Sequence, residues 1–173
     1  DLVIDLVDSN DMESLSDMMQ PIITTIRGKS VCAKTLGQAK YVNAIKKNSI
    51  VFSIGPAGSG KTYLAVAMAA VAFRNKQVDK IILTRPAVEA GEKLGFLPGD
   101  LEEKMTPLIA PFMDNLQVLL KGQNEEKEQI KIQIEDMFET GILEICSLAY
   151  MRGRSLVNSF IIVDEAQNCT IGQ

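Results

Sequence analysis

The sequence contains no histidine among its 173 residues and only three cysteines. Without histidine, the chain cannot form a Ser-His-Asp triad, a Cys-His dyad, a Cys₂His₂ zinc site or a histidine-ligated iron or copper centre. Cys32, Cys146 and Cys169 lie far apart and form no C-x-x-C pair, so neither a disulfide framework nor a thiolate metal site is indicated. We therefore expect a cytoplasmic protein whose chemistry depends on carboxylates, lysine, arginine, hydroxyl groups or a bound metal ion.

Long apolar segments are also absent. No apolar run approaches the roughly 18 residues that a membrane-spanning helix needs, and the N-terminus lacks the basic and apolar regions of a signal peptide, so we expect no membrane association. The composition, with 46% hydrophobic and 23% charged residues and a net charge of -4, fits one globular domain with a buried core. The acidic balance argues against a surface that binds nucleic acid everywhere, but it leaves room for a local basic groove.

Short apolar runs rich in β-branched residues alternate with segments of helical spacing. The expected strands are residues 49–54, 80–84, 141–146 and 160–163, and the expected helices are residues 37–46, 62–73 and a proline-broken region at 101–120. The alternation predicts an α/β fold with a mostly parallel sheet and helices on both faces. We expect residues 1–29 to be a flanking segment and residues 30–173 to form the domain.

A glycine-rich segment follows the first of these strands. Its sequence, GPAGSGKT, matches G-x-x-x-x-G-K-[ST] and leads into an expected helix, which is the arrangement of a phosphate-binding loop. Glycines let backbone N–H groups approach phosphate oxygens where a Cβ would collide or φ would be positive. Lys61 would neutralise the β and γ phosphates, and the Thr62 hydroxyl would bind Mg²⁺. The candidate nucleotide contacts are Gly55, Pro56, Ala57, Gly58, Ser59, Gly60, Lys61, Thr62 and the adjacent Tyr63, for which core packing is the alternative.

Two carboxylates follow the last expected strand, where ligands of parallel sheets bind. Asp164 is expected to hold Mg²⁺ beside Thr62 or through water. Glu165 is the expected general base for an attacking water molecule. The adjacent glutamate favours hydrolysis over transfer to a small acceptor.

Four segments carry a more specific pattern: GPAGSGKTYL at 55–64, LTRPAVEAGEKLGFLPG at 83–99, AYMRGRSL at 149–156 and DEAQN at 164–168. Together they resemble the PhoH-like family of P-loop ATPases, and the resemblance extends from about residue 34 to residue 170. It implies a RecA-like P-loop NTPase fold, ATP as the nucleotide with Mg²⁺, an RNA-linked role and ring-shaped homo-oligomers.

The resemblance also implies roles for two glutamines. Gln38, in the segment KTLGQ, is similar to the adenine-reading glutamine of helicase-like ATPases, with an ordinary exposed helix-start residue as the alternative. A glutamine amide can both donate and accept, so it can bind the N6 and N7 edge of adenine. Gln167 lies where related ATPases use a glutamine to sense the γ-phosphate.

Three arginines lie in the segments that carry the resemblance. Arg85 ends the second strand of the phosphate-loop domain, and Arg152 and Arg154 lie in the loop before the last strand. A guanidinium at this edge of the sheet can bind phosphates of ATP or of a nucleic-acid backbone, whereas an isolated arginine usually faces solvent.

These observations predict an ATPase that hydrolyses MgATP with Lys61, Thr62, Asp164 and Glu165 and that is coupled to RNA. One alternative is a nucleotide-gated module that binds RNA or protein with little turnover. Another is a small-molecule kinase, in which Glu165 would be incidental.

The end of the chain leads to a further expectation. In RecA-like ATPases with a glutamate beside the aspartate, the strand after the acidic pair inserts between the phosphate-loop strand and the strand that carries the pair. Only five residues follow Asn168, so we expect a C-terminally truncated domain in which the strands ending at Ile54 and Val163 are not neighbours. Such a chain would have unpaired strand edges, hydrolyse ATP poorly and aggregate.

Overall fold

The computed structural model describes residues 16, 18–24, 30–86, 88–89, 92–93, 112–113, 115–117 and 127–171. Most of the expected flanking segment and of the expected helical region at 101–120 lies outside the described residues.

The described elements alternate between strands and helices. In chain order they are β1 (Pro21–Thr24), β2 (Ser30–Cys32), α1 (Leu36–Lys47), α2 (Lys61–Arg74), β3 (Lys80–Arg85), β4 (Val88–Glu89), β5 (Glu92–Lys93), α3 (Lys127–Glu139), β6 (Leu143–Ser147) and β7 (Ser159–Val163). Single 3₁₀ turns lie at Leu148–Met151 and Ala166–Asn168. The two expected helices at 37–46 and 62–73 and the three expected strands after residue 79 are confirmed, with small differences at their ends.

A three-stranded parallel sheet with the order β6-β3-β7 is the centre of the described fold. β3 pairs with both neighbours, so that Thr84 lies opposite Cys146 on one side and Val163 on the other. Because the strands are parallel, their carboxyl ends meet at one edge. That edge brings Arg85 and the residues after Val163 together. Two short antiparallel pairs, β1 with β2 and β4 with β5, lie outside this sheet.

Local capping sets the ends of α1. Thr35 is the N-cap, and its hydroxyl accepts a hydrogen bond from the backbone N–H of Gln38 at 3.2 Å. At the other end, the backbone N–H and the Nδ2 of Asn48 both donate to the carbonyl of Ala44, at 3.0 and 2.9 Å. Among the described residues no helix has both the length and the apolar character needed to cross a bilayer.

One face of the sheet is covered by helices. Side chains alternate along a strand, and the face that carries Ile81, Leu83 and Ile162 belongs to the same buried cluster as the apolar residues of α2 and Ile134 of α3. α2 is buried almost all round because α1 packs on it through Val42, against Leu64 and Met68. The described residues thus show an α/β sheet with helices on one face. Helices on both faces and the full RecA-like architecture stay predictions.

The expected buried strand at 49–54 is wrong for this structure. These residues belong to no strand, and Ile50, Phe52 and Ile54 are 77%, 86% and 99% exposed. Their apolar pattern favours a strand, yet no described strand pairs with them, and burial requires a partner. The expectation that this segment and β7 are not neighbours is confirmed, because β7 pairs only with β3 among the described residues.

Candidate functional site

The glycine-rich loop adopts the backbone conformation that its glycines permit. Gly58 and Gly60 have φ values of +74° and +87°, in the left-handed region that residues with a Cβ rarely adopt. Gly60 is the N-cap residue of α2, and its carbonyl accepts the N–H of Leu64 at 2.9 Å. The loop therefore ends at a helix N-terminus, whose unpaired N–H groups and positive dipole end favour anions.

The Lys61 side chain folds back over this loop. Its Nζ donates to the carbonyl oxygens of Gly55 and Pro56, both at 2.8 Å, and lies 3.4 Å from the Ser59 hydroxyl. The Ser59 hydroxyl in turn donates to the Pro56 carbonyl at 2.9 Å. The ammonium charge is therefore held against the loop that the sequence predicts to bind phosphate. Of the predicted contacts in this loop, Ala57 is exposed and has no described side-chain role.

Thr62 and Asp164, which are 102 residues apart in the sequence, meet in the structure. The Thr62 hydroxyl donates to Oδ1 of Asp164 at 3.0 Å. Asp164 is fixed at the sheet edge because its backbone N–H donates to the carbonyl of Thr84 at 2.9 Å. The contact joins the N-terminus of α2 to the carboxyl end of β7.

The donor set at this contact fits Mg²⁺. A hydroxyl and a carboxylate supply the hard oxygen ligands that Mg²⁺ prefers, and this ion commonly binds to one or two protein groups while keeping several water ligands. No cluster of three or more histidine, cysteine, aspartate or glutamate side chains is present in the described part of the chain. Thr62 and Asp164 would therefore hold the ion together with water and substrate oxygens.

Glu165 follows in an unusual backbone conformation. Its φ of 51° and ψ of 39° lie in the left-handed region, which costs a non-glycine residue about 1–2 kcal/mol. This bend turns the chain from β7 directly into the 3₁₀ turn at Ala166–Asn168. The Nε2 of Gln167 donates to the Glu165 carboxylate. Strain of this kind is common where a side chain must be presented at a site.

Gln38 lies beside the loop rather than in solvent. Its Nε2 donates to the carbonyl of Ser59 at 2.9 Å, and its Oε1 accepts from the backbone N–H of Lys34 at 2.7 Å. The structure therefore brings Gln38 to the phosphate loop, with both ends of its amide hydrogen bonded to backbone.

Two tyrosines flank the site. Burial raises the pKa of Tyr41, and the negative charge of Asp164 raises it further, so this α1 residue lies within electrostatic range of the carboxylate. A tyrosine on a helix gives no signal of its own in the sequence, so Tyr41 could be found only from the structure. The ring of Tyr63 packs against the two buried clusters, and burial raises its pKa. This position matches the packing alternative for Tyr63.

The three arginines occupy different places. Arg85 ends β3 at the same sheet edge as Asp164, next to Thr84. Arg152 is exposed after the first 3₁₀ turn. Arg154 forms a bidentate ion pair with Glu144, at 2.5 and 2.9 Å, beside a recess that Lys80 also lines. Arg85 thus lies at the sheet edge that carries Asp164, whereas the guanidinium of Arg154 is hydrogen bonded to Glu144.

Comparison with known proteins gives one consistent result. A family model described as PhoH-like protein matches residues 30–173. A PhoH-like protein of Bacillus subtilis is 50% identical over 171 residues, which is 98% of this chain and 51% of that protein. A PhoH-like protein of Mycobacterium leprae is 51% identical over 161 residues, covering 93% of this chain and 44% of that protein. Protein PhoH of Escherichia coli K12 is 42% identical over 143 residues, covering 83% and 38% respectively. The chain spans about half the length, or less, of these relatives.

Proposed function

The chain belongs to the PhoH-like family, and we propose that it binds MgATP at residues 55–62 and hydrolyses the bond to the γ-phosphate. The observation that carries this proposal is the contact between Thr62 and Asp164 at 3.0 Å. It joins the phosphate loop to the acidic pair, which are the two halves that a P-loop nucleotide site requires.

Each of these residues has a distinct task in the proposed reaction. Backbone N–H groups of the loop and of the α2 N-terminus bind phosphate oxygens, and the ammonium of Lys61 neutralises their charge. Thr62 and Asp164 would hold Mg²⁺, and the ion would supply further neutralisation of the phosphate charge. Glu165 accepts the proton of the attacking water, and Gln167 orients that carboxylate through its amide.

We also propose that the chain binds RNA. Between residues 30 and 78 the sequence has seven lysines and arginines and no aspartate or glutamate, although the whole chain has a net charge of -4. Lys40, Lys46 and Lys47 are exposed on α1. A basic surface on an otherwise acidic chain supports local phosphate-backbone contacts.

Ring-shaped oligomers are a further proposal, which rests on the family resemblance. Native mass spectrometry would check it.

Phosphate release from ATP, measured with and without single-stranded RNA, tests the proposal. We expect Glu165→Gln to retain ATP binding and to lose at least about 100-fold in turnover, because general-base assistance contributes about 10²–10⁴-fold. We expect Lys61→Ala to lose binding itself. Glu139→Gln, at an exposed position at the end of α3, is the matched control and should behave as wild type.

Other outcomes would favour other functions. Tight ATP binding without turnover in the presence of RNA would favour a nucleotide-gated module, and transfer of label to a small acceptor would favour a kinase. For the RNA arm, we expect the double variant Lys40→Glu with Lys47→Glu to lose RNA stimulation while keeping its RNA-free rate. The control is Gln77→Glu with Gln133→Glu, which adds two negative charges at exposed positions outside α1.

A further inference from the structure

We propose that Gln38 is a positioning residue of the phosphate loop, which orients the Ser59–Gly60 peptide and so acts on every ligand that carries a polyphosphate, whatever its base. This inference rests on the proposed nucleotide site and adds a role distinct from adenine recognition.

The amide of Gln38 is satisfied at both ends by backbone groups of two separate segments. Nε2 donates to the Ser59 carbonyl at 2.9 Å, and Oε1 accepts from the N–H of Lys34 at 2.7 Å. Rotating the amide by half a turn would place oxygen against oxygen at Ser59 and N–H against N–H at Lys34. The orientation of the side chain is therefore determined, and Nε2 must face the loop.

Holding the Ser59 carbonyl also sets a donor of the loop. The peptide between Ser59 and Gly60 is planar and trans, so the Gly60 N–H points away from the Ser59 oxygen. Fixing the oxygen fixes the direction in which this N–H can meet an anion. The approach is close, because a Cβ built on Gly60 would lie 3.2 Å from Nε2 of Gln38. Gly60 is also the loop residue with the largest positive φ, +87°, so its peptide would otherwise have much conformational freedom.

The helix that carries Gln38 gives this contact a firm base. Gln38 lies in the first turn of α1, which is capped by Thr35, and its own N–H donates to that cap. α1 packs on α2 through Val42, which contacts the cluster formed with Leu64 and Met68. The amide therefore connects two packed helices across the loop between them.

A positioning role and an adenine-reading role differ in which ligands they affect. A residue that contacts only the base changes the affinity for ATP and leaves the affinity for inorganic tripolyphosphate unchanged. A residue that sets the Gly60 N–H changes both by the same factor. GTP provides a third ligand, with the same phosphates and a different base.

Calorimetric titration of ATP, GTP and tripolyphosphate with Mg²⁺ tests the inference on wild type, Gln38→Met and Gln38→Ala. Methionine keeps the size of the side chain and removes both hydrogen bonds. We expect each variant to lose affinity for all three ligands by a common factor of about fivefold, as one lost hydrogen bond would give. Gln77→Met, at an exposed position after α2, is the matched control and should leave all three affinities unchanged.

Thermal unfolding of each variant separates positioning from general destabilisation. We expect each Gln38 variant to lose affinity for all three ligands even at a temperature well below its melting temperature. If Gln38 only stabilised the fold, binding at that temperature would be unaffected. A loss confined to ATP, or no loss for any ligand, would overturn the inference while leaving the proposed function intact. Wild type that binds neither ATP nor tripolyphosphate would overturn both.

Discussion

β3 and the segment 50–54 have similar sequences and opposite environments. Both are short, apolar and rich in β-branched residues. Residues 50–54 directly precede the phosphate loop, and β3 ends at the sheet edge where Asp164 lies. In β3, Ile81 and Ile82 are each 1% exposed, whereas Phe52 and Ile54 are 86% and 99% exposed. β3 pairs with a strand on each side, and residues 50–54 pair with none of the described strands. An apolar, β-branched segment thus has the propensity to form a strand, but it forms a buried one only where adjacent strands pair with it.

The two environments support the two halves of the site in different ways. Asp164 is anchored by the sheet, through its backbone hydrogen bond to Thr84. Among the described residues, the segment before the phosphate loop pairs with no strand. The loop is held by the side chains of Lys61 and Gln38, by the packing of α1 on α2 and by the Thr62–Asp164 contact. The backbone at Asp164 should therefore be more rigid than the backbone of the phosphate loop.

The largest expected effect compares stability in the two regions. Ile81→Ala should lower the free energy of unfolding by about 2–5 kcal/mol, because it leaves a cavity in the buried cluster. Phe52→Ala should change it by less than about 0.5 kcal/mol, since the ring is already in solvent. Urea denaturation followed by circular dichroism measures both values. Equal losses in the two variants would contradict the comparison and would mean that Phe52 is buried in solution.

A second prediction tests the link between the two halves. Asp164→Ala should reduce the affinity for MgATP by about 10–100-fold, the loss usual when a group that supports a metal site is removed. Affinity for ATP without Mg²⁺ should change much less, because Lys61 and the loop are intact. Asp136→Ala, at an exposed position on α3, is the control. Equal losses with and without Mg²⁺ would instead assign Asp164 a role in holding the loop.

Local patterns predicted the elements better than their pairing. α1, α2 and β3 follow from the spacing of apolar residues, and the phosphate loop follows from its glycines and Lys61. The contact between Thr62 and Asp164 was expected because both motifs end at the same edge of a parallel sheet. The environment of 50–54 could not be predicted, since it depends on a neighbouring strand. The proximity of Tyr41 to Asp164 and the ion pair of Arg154 with Glu144 also depend on tertiary contacts that no local pattern encodes.

The smallest expected effect concerns the ion pair between Arg154 and Glu144 of β6. The hydrogen bonds from Arg154 lower the pKa of Glu144, the positive charges of Arg154 and Lys80 lower it further, and partial burial opposes the shift. The Cys146 thiol also faces this carboxyl. A carboxyl with a lowered pKa stabilises the fold above its ordinary pKa, and this stabilisation is lost as the pH falls through the lowered value.

Glu144→Gln should therefore lower the melting temperature by at most about 2 °C at neutral pH, because solvent screens an exposed ion pair. The difference from wild type should shrink as the pH falls below about 4.5, the ordinary value for a glutamate. Melting curves from pH 7 to pH 3 measure this trend, with Glu139→Gln as the control on α3. A difference that grows on acidification would show that Glu144 is stabilising in its protonated form. If Glu144→Gln lowered the melting temperature more than Ile81→Ala does, charge pairing would stabilise the sheet more than burial, which would contradict the comparison.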